Sequence, residues 1–211
     1  MPYKTDREYR AMPVLINTAD NKLIDSDYYV EGYATTFNQP YLLWDDSDVK
    51  FYEQVSRNAF DEADMSDVIF LRNHEGKCLA RTKMKKGVAP TLLLEPRDEG
   101  LFIAADLGLT QEGRSEFDAI QSGLVYQMSF AFTVADDEIT KMGDNEYLRT
   151  IKQFKKVYDV SSVDMPANPN TVIDIAARSA FEGFIENEKQ EMQRAQEREK
   201  QKRRIKLLTE V

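Results

Sequence analysis

Apolar and polar residues alternate along 125–135, Val-Tyr-Gln-Met-Ser-Phe-Ala-Phe-Thr-Val-Ala, with the period of two expected of a half-buried strand. Splitting the run by parity puts Tyr126, Met128, Phe130, Phe132 and Val134 on one face, which must look into the core. Val125, Gln127, Ser129, Ala131 and Thr133 fall on the other, which is small and mostly polar. A second long strand is expected over 147–163, joined to the first through the turn Gly143-Asp144-Asn145-Glu146. Aromatic and β-branched residues predict a strand over 28–37, and 68–74 reads as another that ends at Gly76. Leucine-rich 92–95 and 101–105 flank Arg97-Asp98-Glu99-Gly100, a hairpin signal.

Helical signals are fewer. Ser56 is a candidate N-cap for a short helix within 55–65. A second helix is expected over 110–121, with Gly123 at the position that closes it. Pro166-Ala167-Asn168-Pro169 should end regular structure, because proline restricts both itself and its predecessor. Beyond Arg178 the apolar positions thin out after Phe181, Phe184 and Ile185, leaving a Glu/Gln/Lys/Arg run that predicts a charged helix. No internal repeat is present. The expectation is an α+β, mainly β, domain over 1–177 followed by a charged helical tail over 178–211.

With 211 residues the chain can bury one sizeable core. The formal charge is -9, divided unevenly: 186–204 carry +2 and the remainder -11. An acidic body disfavours nucleic-acid binding, which draws its affinity from cations set against phosphates. The basic cluster Lys200-Gln201-Lys202-Arg203-Arg204 suits an acidic partner or a phosphate, or is simply a solvated helix face. Apolar runs are too short to span a membrane. The first residues lack the apolar stretch of a signal peptide, and the single Cys78 permits no intramolecular disulfide. A cytosolic protein is expected.

Candidate chemistry centres on the only histidine, His74. Ser129 is a hydroxyl on a rigid strand whose neighbours leave room for a substrate, although the same residue also suits an ordinary solvated face. A serine nucleophile needs a base, commonly oriented by a third group, and His74 is the one side chain with an unperturbed pKa near neutrality. Asp159 lies inside a strand-like run, where acids are disfavoured. A hydrogen bond to an imidazole, an edge position in the sheet or a salt bridge to a nearby lysine would each account for it. Asp164, at the turn before Pro166, is a second acidic candidate. His74-Glu75 begins like the zinc-protease HExxH motif, but Cys78 stands where the second histidine belongs. Cys78 itself is expected to be a buried, inert thiol. The carboxylates show no metal-ligand spacing and the nine glycines form no phosphate loop. No cofactor or metal is called for.

Three segments in order carry a resemblance: Val68-Ile-Phe-Leu-Arg-Asn-His74, Gly123-Leu-Val-Tyr-Gln-Met-Ser-Phe-Ala-Phe132, and Tyr158-Asp-Val-Ser-Ser-Val-Asp-Met-Pro-Ala-Asn-Pro169. Together with Glu31-Gly32-Tyr33-Ala34 and the 51–60 segment, they make about residues 10 to 175 similar to the prohead (capsid maturation) serine proteases of tailed bacteriophages. The resemblance implies a β-barrel with surrounding helices, as in the herpesvirus assembly proteases. It places His74 at the family's catalytic histidine, Ser129 at its nucleophile and Asp159 where the family carries an acid, more often Glu. Ala131 departs from the glycine frequent two residues after the nucleophile. By the same resemblance the substrate is major capsid or scaffold protein, and the chain itself, within the immature shell in the host cytoplasm, and a homodimer is a reasonable expectation. Two other classes stay open. One is a non-catalytic scaffolding protein that keeps the protease fold. The other is a small-substrate esterase or amidase, which ranks last because the Gly-x-Ser-x-Gly elbow is missing. The charged tail fits recruitment to the shell and removal on activation, or no specific role.

Overall fold

A computed structural model describes residues 7–17, 22–46, 49–164 and 175–209. Its contacts divide the chain into two units, Met1–Asp174 and Ile175–Val211. In the first unit ten strands form one sheet: β1 (Glu8–Asn17), β2 (Tyr29–Thr36), β3 (Tyr41–Asp46), β4 (Val49–Val55), β5 (Ile69–Arg72), β6 (Glu75–Arg81), β7 (Leu92–Pro96), β8 (Gly100–Asp106), β9 (Gln127–Gly143) and β10 (Glu146–Val163). One helix, α1 (Gln111–Gln121), follows β8, and α2 (Ile175–Thr209) makes up the second unit. The protein is α+β and mainly β, with a C-terminal helix, as the patterning predicts.

Strand order runs β3-β4-β10-β9-β1-β2-β8-β7, and β5 branches off β10 and carries β6. β10 organises this arrangement. It pairs antiparallel with β9 along nearly its whole length, parallel with β4 over Glu146–Ile151 and parallel with β5 through its last residues. Just past β2, Phe37 forms a parallel bridge to Val55 at the end of β4, so the sheet curls round its core. Among the described residues the strand pairings trace a branched path and not a closed barrel.

One large core fills the curl. Phe60, Phe130, Phe132 and Phe154 meet in it, with Phe130 and Phe132 stacked at 4.6 Å and Phe60 4.5 Å from Phe154. Burying each such ring contributes about 1.5–3 kcal/mol relative to exposure. α1 closes one side with Phe117 and Ile120. Its N-cap is Thr110, whose Oγ1 accepts the Gly113 N–H at 3.0 Å, and Gly123 leaves it at φ +76°. A second buried group is charged. Glu8, Arg10, Glu53 and Arg149 are each at most 3% exposed and are ion-paired at 2.5–2.9 Å, bringing β1, β4 and β10 together. Burial alone would raise the Glu53 carboxyl, but Arg10 and Arg149 beside it hold it down at about 2.

Four local expectations change. Residues 56–63 form consecutive turns and no helix, because their backbone serves β10: Phe154 N–H donates to Ala59 O and Val157 N–H to Asp64 O. The strand expected to end at Gly76 ends at Arg72, and β6 begins after a two-residue turn. Tyr126 is half exposed while Val125 is buried, since regular pairing of β9 starts only at Gln127 and parity does not extend before it. Cys78 lies on exposed β6, not in the core; partial burial still pushes its thiol up, which disfavours the reactive thiolate. The segment Pro166–Pro169 lies outside the described residues.

In the second unit α2 starts at Ile175, a little before the expected boundary, and runs 35 residues. Residues 189–202 are exposed, as a helix polar all round requires. No helix of the described residues is long and apolar enough to cross a membrane.

Candidate active site

Strand pairing brings three distant segments to one end of the sheet. Ser161 of β10 lies directly opposite Ser129 of β9, and Asp159 opposite Ala131. Paired residues share a face, so Ser129, Ala131, Asp159 and Ser161 all point away from the core occupied by Phe130, Phe132 and Val160. Simple parity along β10 would not do this, since Val157 and Asp159 would share a face. A bulge at Tyr158 separates them: Val157 pairs with Phe132 and enters the core, while Asp159 pairs with Ala131.

His74 arrives from β5. Because β5 runs parallel to the end of β10, with Asp159 beside Ile69 and Ser161 beside Leu71, its exit turn reaches the same place. Asn73 and His74 are the two central residues of that turn, both with positive φ, 50° and 59°, a type I′ hairpin connection from Arg72 to Glu75. The turn is held by its backbone and by its first side chain. Asn73 N–H donates to Ser162 O at 2.9 Å, Asn73 Nδ2 donates to Asp164 Oδ2 at 2.8 Å, and Asp164 N–H donates back to Asn73 Oδ1 at 3.1 Å.

The imidazole bridges the other two groups. His74 Nδ1 is 2.5 Å from Asp159 Oδ1, and His74 Nε2 is 2.6 Å from Ser129 Oγ. A carboxylate only accepts, so the Nδ1 proton belongs to the Asp159 bond and Nε2 is left to accept the serine O–H. Exposure is greatest at the middle of this line: the His74 side chain is 16% exposed, against 4% for that of Asp159 and 2% for Ser129. The Tyr9 ring from β1 meets the imidazole edge-on at 4.8 Å.

All three residues singled out in the sequence are therefore brought together, and Asp159 bonds to the imidazole and not to a lysine. Asp164 instead pairs with Asn73 and with Arg72, at 2.6 Å, which hold its carboxyl below the usual range. Cys78 Sγ points to Ala80 O at 3.2 Å, so it takes no part. Two neighbours went unread in the sequence. Ser161, two residues beyond Asp159, was accessible through period-two spacing; Tyr9 carried no local signal at all. Among the described residues no group of three His, Cys, Asp or Glu is placed to hold a metal ion.

A cleft of about 770 Å³ adjoins the turn, lined by Arg72, Glu75 and Lys77 of the β5–β6 hairpin and by Glu112, Ser115 and Glu116 of α1. Lys77 and Glu112 pair across it.

No curated protein and no solved structure matches this chain. The family model of the caudovirus prohead serine proteases matches residues 16–184, which contain Ser129, His74, Asp159 and the strands that deliver them. The chain belongs to the caudovirus prohead serine protease family.

Proposed function

We propose that this chain is a serine endopeptidase that cuts major capsid or scaffold protein, and itself, inside the procapsid in the host cytoplasm. Ser129 is the nucleophile, His74 the general base and Asp159 the acid that orients it. The observation that carries this reading is the unbroken hydrogen-bond line from Ser129 Oγ through the imidazole to Asp159 Oδ1. His74 Nε2 takes the hydroxyl proton as Oγ attacks a peptide carbonyl, and backbone N–H groups stabilise the oxyanion. The same nitrogen then gives its proton to the leaving amine. Water, activated by the imidazole in turn, hydrolyses the acyl-enzyme and frees Ser129. Throughout, Asp159 keeps the Nδ1 tautomer and compensates the charge of the imidazolium.

The 2.6 Å approach of Ser129 to His74 favours catalysis over a scaffolding protein that merely keeps the fold. Kinship with the herpesvirus-type barrel belongs to this reading, supported by the curl of the sheet and the bridge from Phe37 to Val55. A homodimer enters it through the resemblance alone, and equilibrium sedimentation decides that point.

Intact mass spectrometry tests the function, on the protein alone and co-expressed with its capsid protein. Defined products that vanish in Ser129→Ala establish a Ser129-dependent protease. Identical masses despite correct folding and assembled particles reject it in favour of scaffolding.

A further inference from the structure

Ser161 has no place in the three-residue mechanism, yet it is fully buried beside it. Its Oγ lies 3.0 Å from Asp159 Oδ1, 3.2 Å from His74 Nδ1 and 3.3 Å from the backbone N of His74. A hydroxyl has one proton to give and two lone pairs. With the Nδ1 proton committed to Asp159, Ser161 donates to Asp159 Oδ1 and accepts the His74 backbone N–H. We propose that Ser161 is a positioning residue, one hydroxyl that fixes both the backbone carrying the base and the carboxylate that orients it. This rests on the catalytic reading of Ser129, His74 and Asp159.

Two features make such a tie necessary. His74 occupies a left-handed conformation that a side chain-bearing residue adopts at a cost, so its backbone needs an external partner. The acid and the base also sit on separate elements, β10 and the β5–β6 turn, whose ladder ends at Ser162 and Arg72. Ser161 joins the two just short of that end. Its position opposite Ser129 in the β9–β10 ladder sets the same hydroxyl in register with the nucleophile.

The next residue supplies an internal control. Ser162 is also fully buried and also donates to a carboxylate, Glu116 Oε1 at 2.6 Å, but on the opposite face of the sheet. Both serines lose a buried side-chain hydrogen bond when changed to alanine; of the two hydroxyls only that of Ser161 touches the site.

The test uses the full chain and a fluorophosphonate, whose reaction with Ser129 reports hydroxyl activation without the natural substrate. In Ser161→Ala the maximal labelling rate falls about ten- to a hundredfold, with the half-saturating reagent concentration unchanged. In Ser162→Ala both stay within about twofold of wild type. Because His74 is the only histidine, ¹⁵N-histidine labelling gives a single Nδ1–H proton resonance. That resonance moves or broadens in Ser161→Ala and stays in place in Ser162→Ala, whether or not the protein is turning over. Ser161→Cys carries the same measurements should the alanine variant not fold. Labelling within twofold of wild type and an unmoved resonance in Ser161→Ala overturn the proposal and leave the triad intact. Equal losses in both variants overturn it as well. If the folded Ser129→Ala variant retains proteolysis, the catalytic reading itself fails, and this inference with it.

Discussion

His74 follows Asn73 through a turn in which both residues have positive φ, so the catalytic base of the proposed protease sits on a strained two-residue connection. Asn tolerates this conformation; His adopts it at a cost of roughly 1–2 kcal/mol, offset by the bonds that clamp the turn to β10. Asn73→Ala removes both the tolerance and the paired bonds to Asp164. Thermal melting is expected to show a loss of about 1–2 kcal/mol, with a slower cleavage rate. Asp164→Ala should slow cleavage too while barely altering the melt, since the Asp164 side chain is 44% exposed. Asn73 and Arg72 lower the Asp164 carboxyl, so its clamp is complete above the ordinary carboxylate range and is lost as pH falls below it.

Asp159→Asn keeps the shape of the acid and removes its charge, and the amide can donate to Nδ1, favouring the wrong tautomer. Cleavage of co-expressed capsid protein should fall about 10²–10⁴-fold in kcat with little change in KM. A quenched-flow or gel time course on purified variant and capsid protein measures it. Retention of the wild-type rate would remove Asp159 from the triad.

Glu53 stabilises the fold at a distance from the chemistry. Glu53→Gln leaves Arg10 and Arg149 buried with one carboxylate fewer and should cost about 3–5 kcal/mol in urea unfolding. The sign with pH follows from the lowered carboxyl. Its folded value of about 2 lies below the unfolded 4.5, so the contribution is present above pH 4.5 and is lost as pH falls toward 2. Acid unfolding of the variant should accordingly show a weaker dependence on pH across that interval.

Gly100→Ala tests packing alone. A Cβ there would stand 1.9 Å from Thr35 O, a backbone atom of the paired strand β2, so β2 and β8 must separate. Circular dichroism melts should show a loss of at least 1–3 kcal/mol. At temperatures where the variant is folded, the fluorophosphonate labelling rate of Ser129 should match wild type.

Much of the site could be read from local pattern. Ser129 stood out because alternation around it is regular and β9 keeps that regularity from Gln127 to Thr133. His74 was singular by composition. Asp159 could be chosen for being an acid within a strand, but its face could not, because the bulge at Tyr158 breaks parity where it matters. The pairing of β5 with β10 was equally hidden: parallel partners 90 positions apart, as Ile69 and Asp159 are, leave no mark on either sequence, and the turn at Asn73-His74 carries no glycine to announce it. The missing helix over 55–65 has the same cause, since hydrogen bonds to a distant strand outweighed a weak local preference.

Among the described residues β10 is the last strand in chain order and one of the most central, paired with β4, β5 and β9. On the ribosome, Ser129 and His74 are both made before the strand that carries Asp159 and to which the β5–β6 turn is anchored. Until synthesis has passed Val163 the ladder that holds the imidazole against the hydroxyl is incomplete, so the proposed protease is inert while that strand is unfinished. The order of translation thus delays assembly of the proposed catalytic centre until β10 has been made.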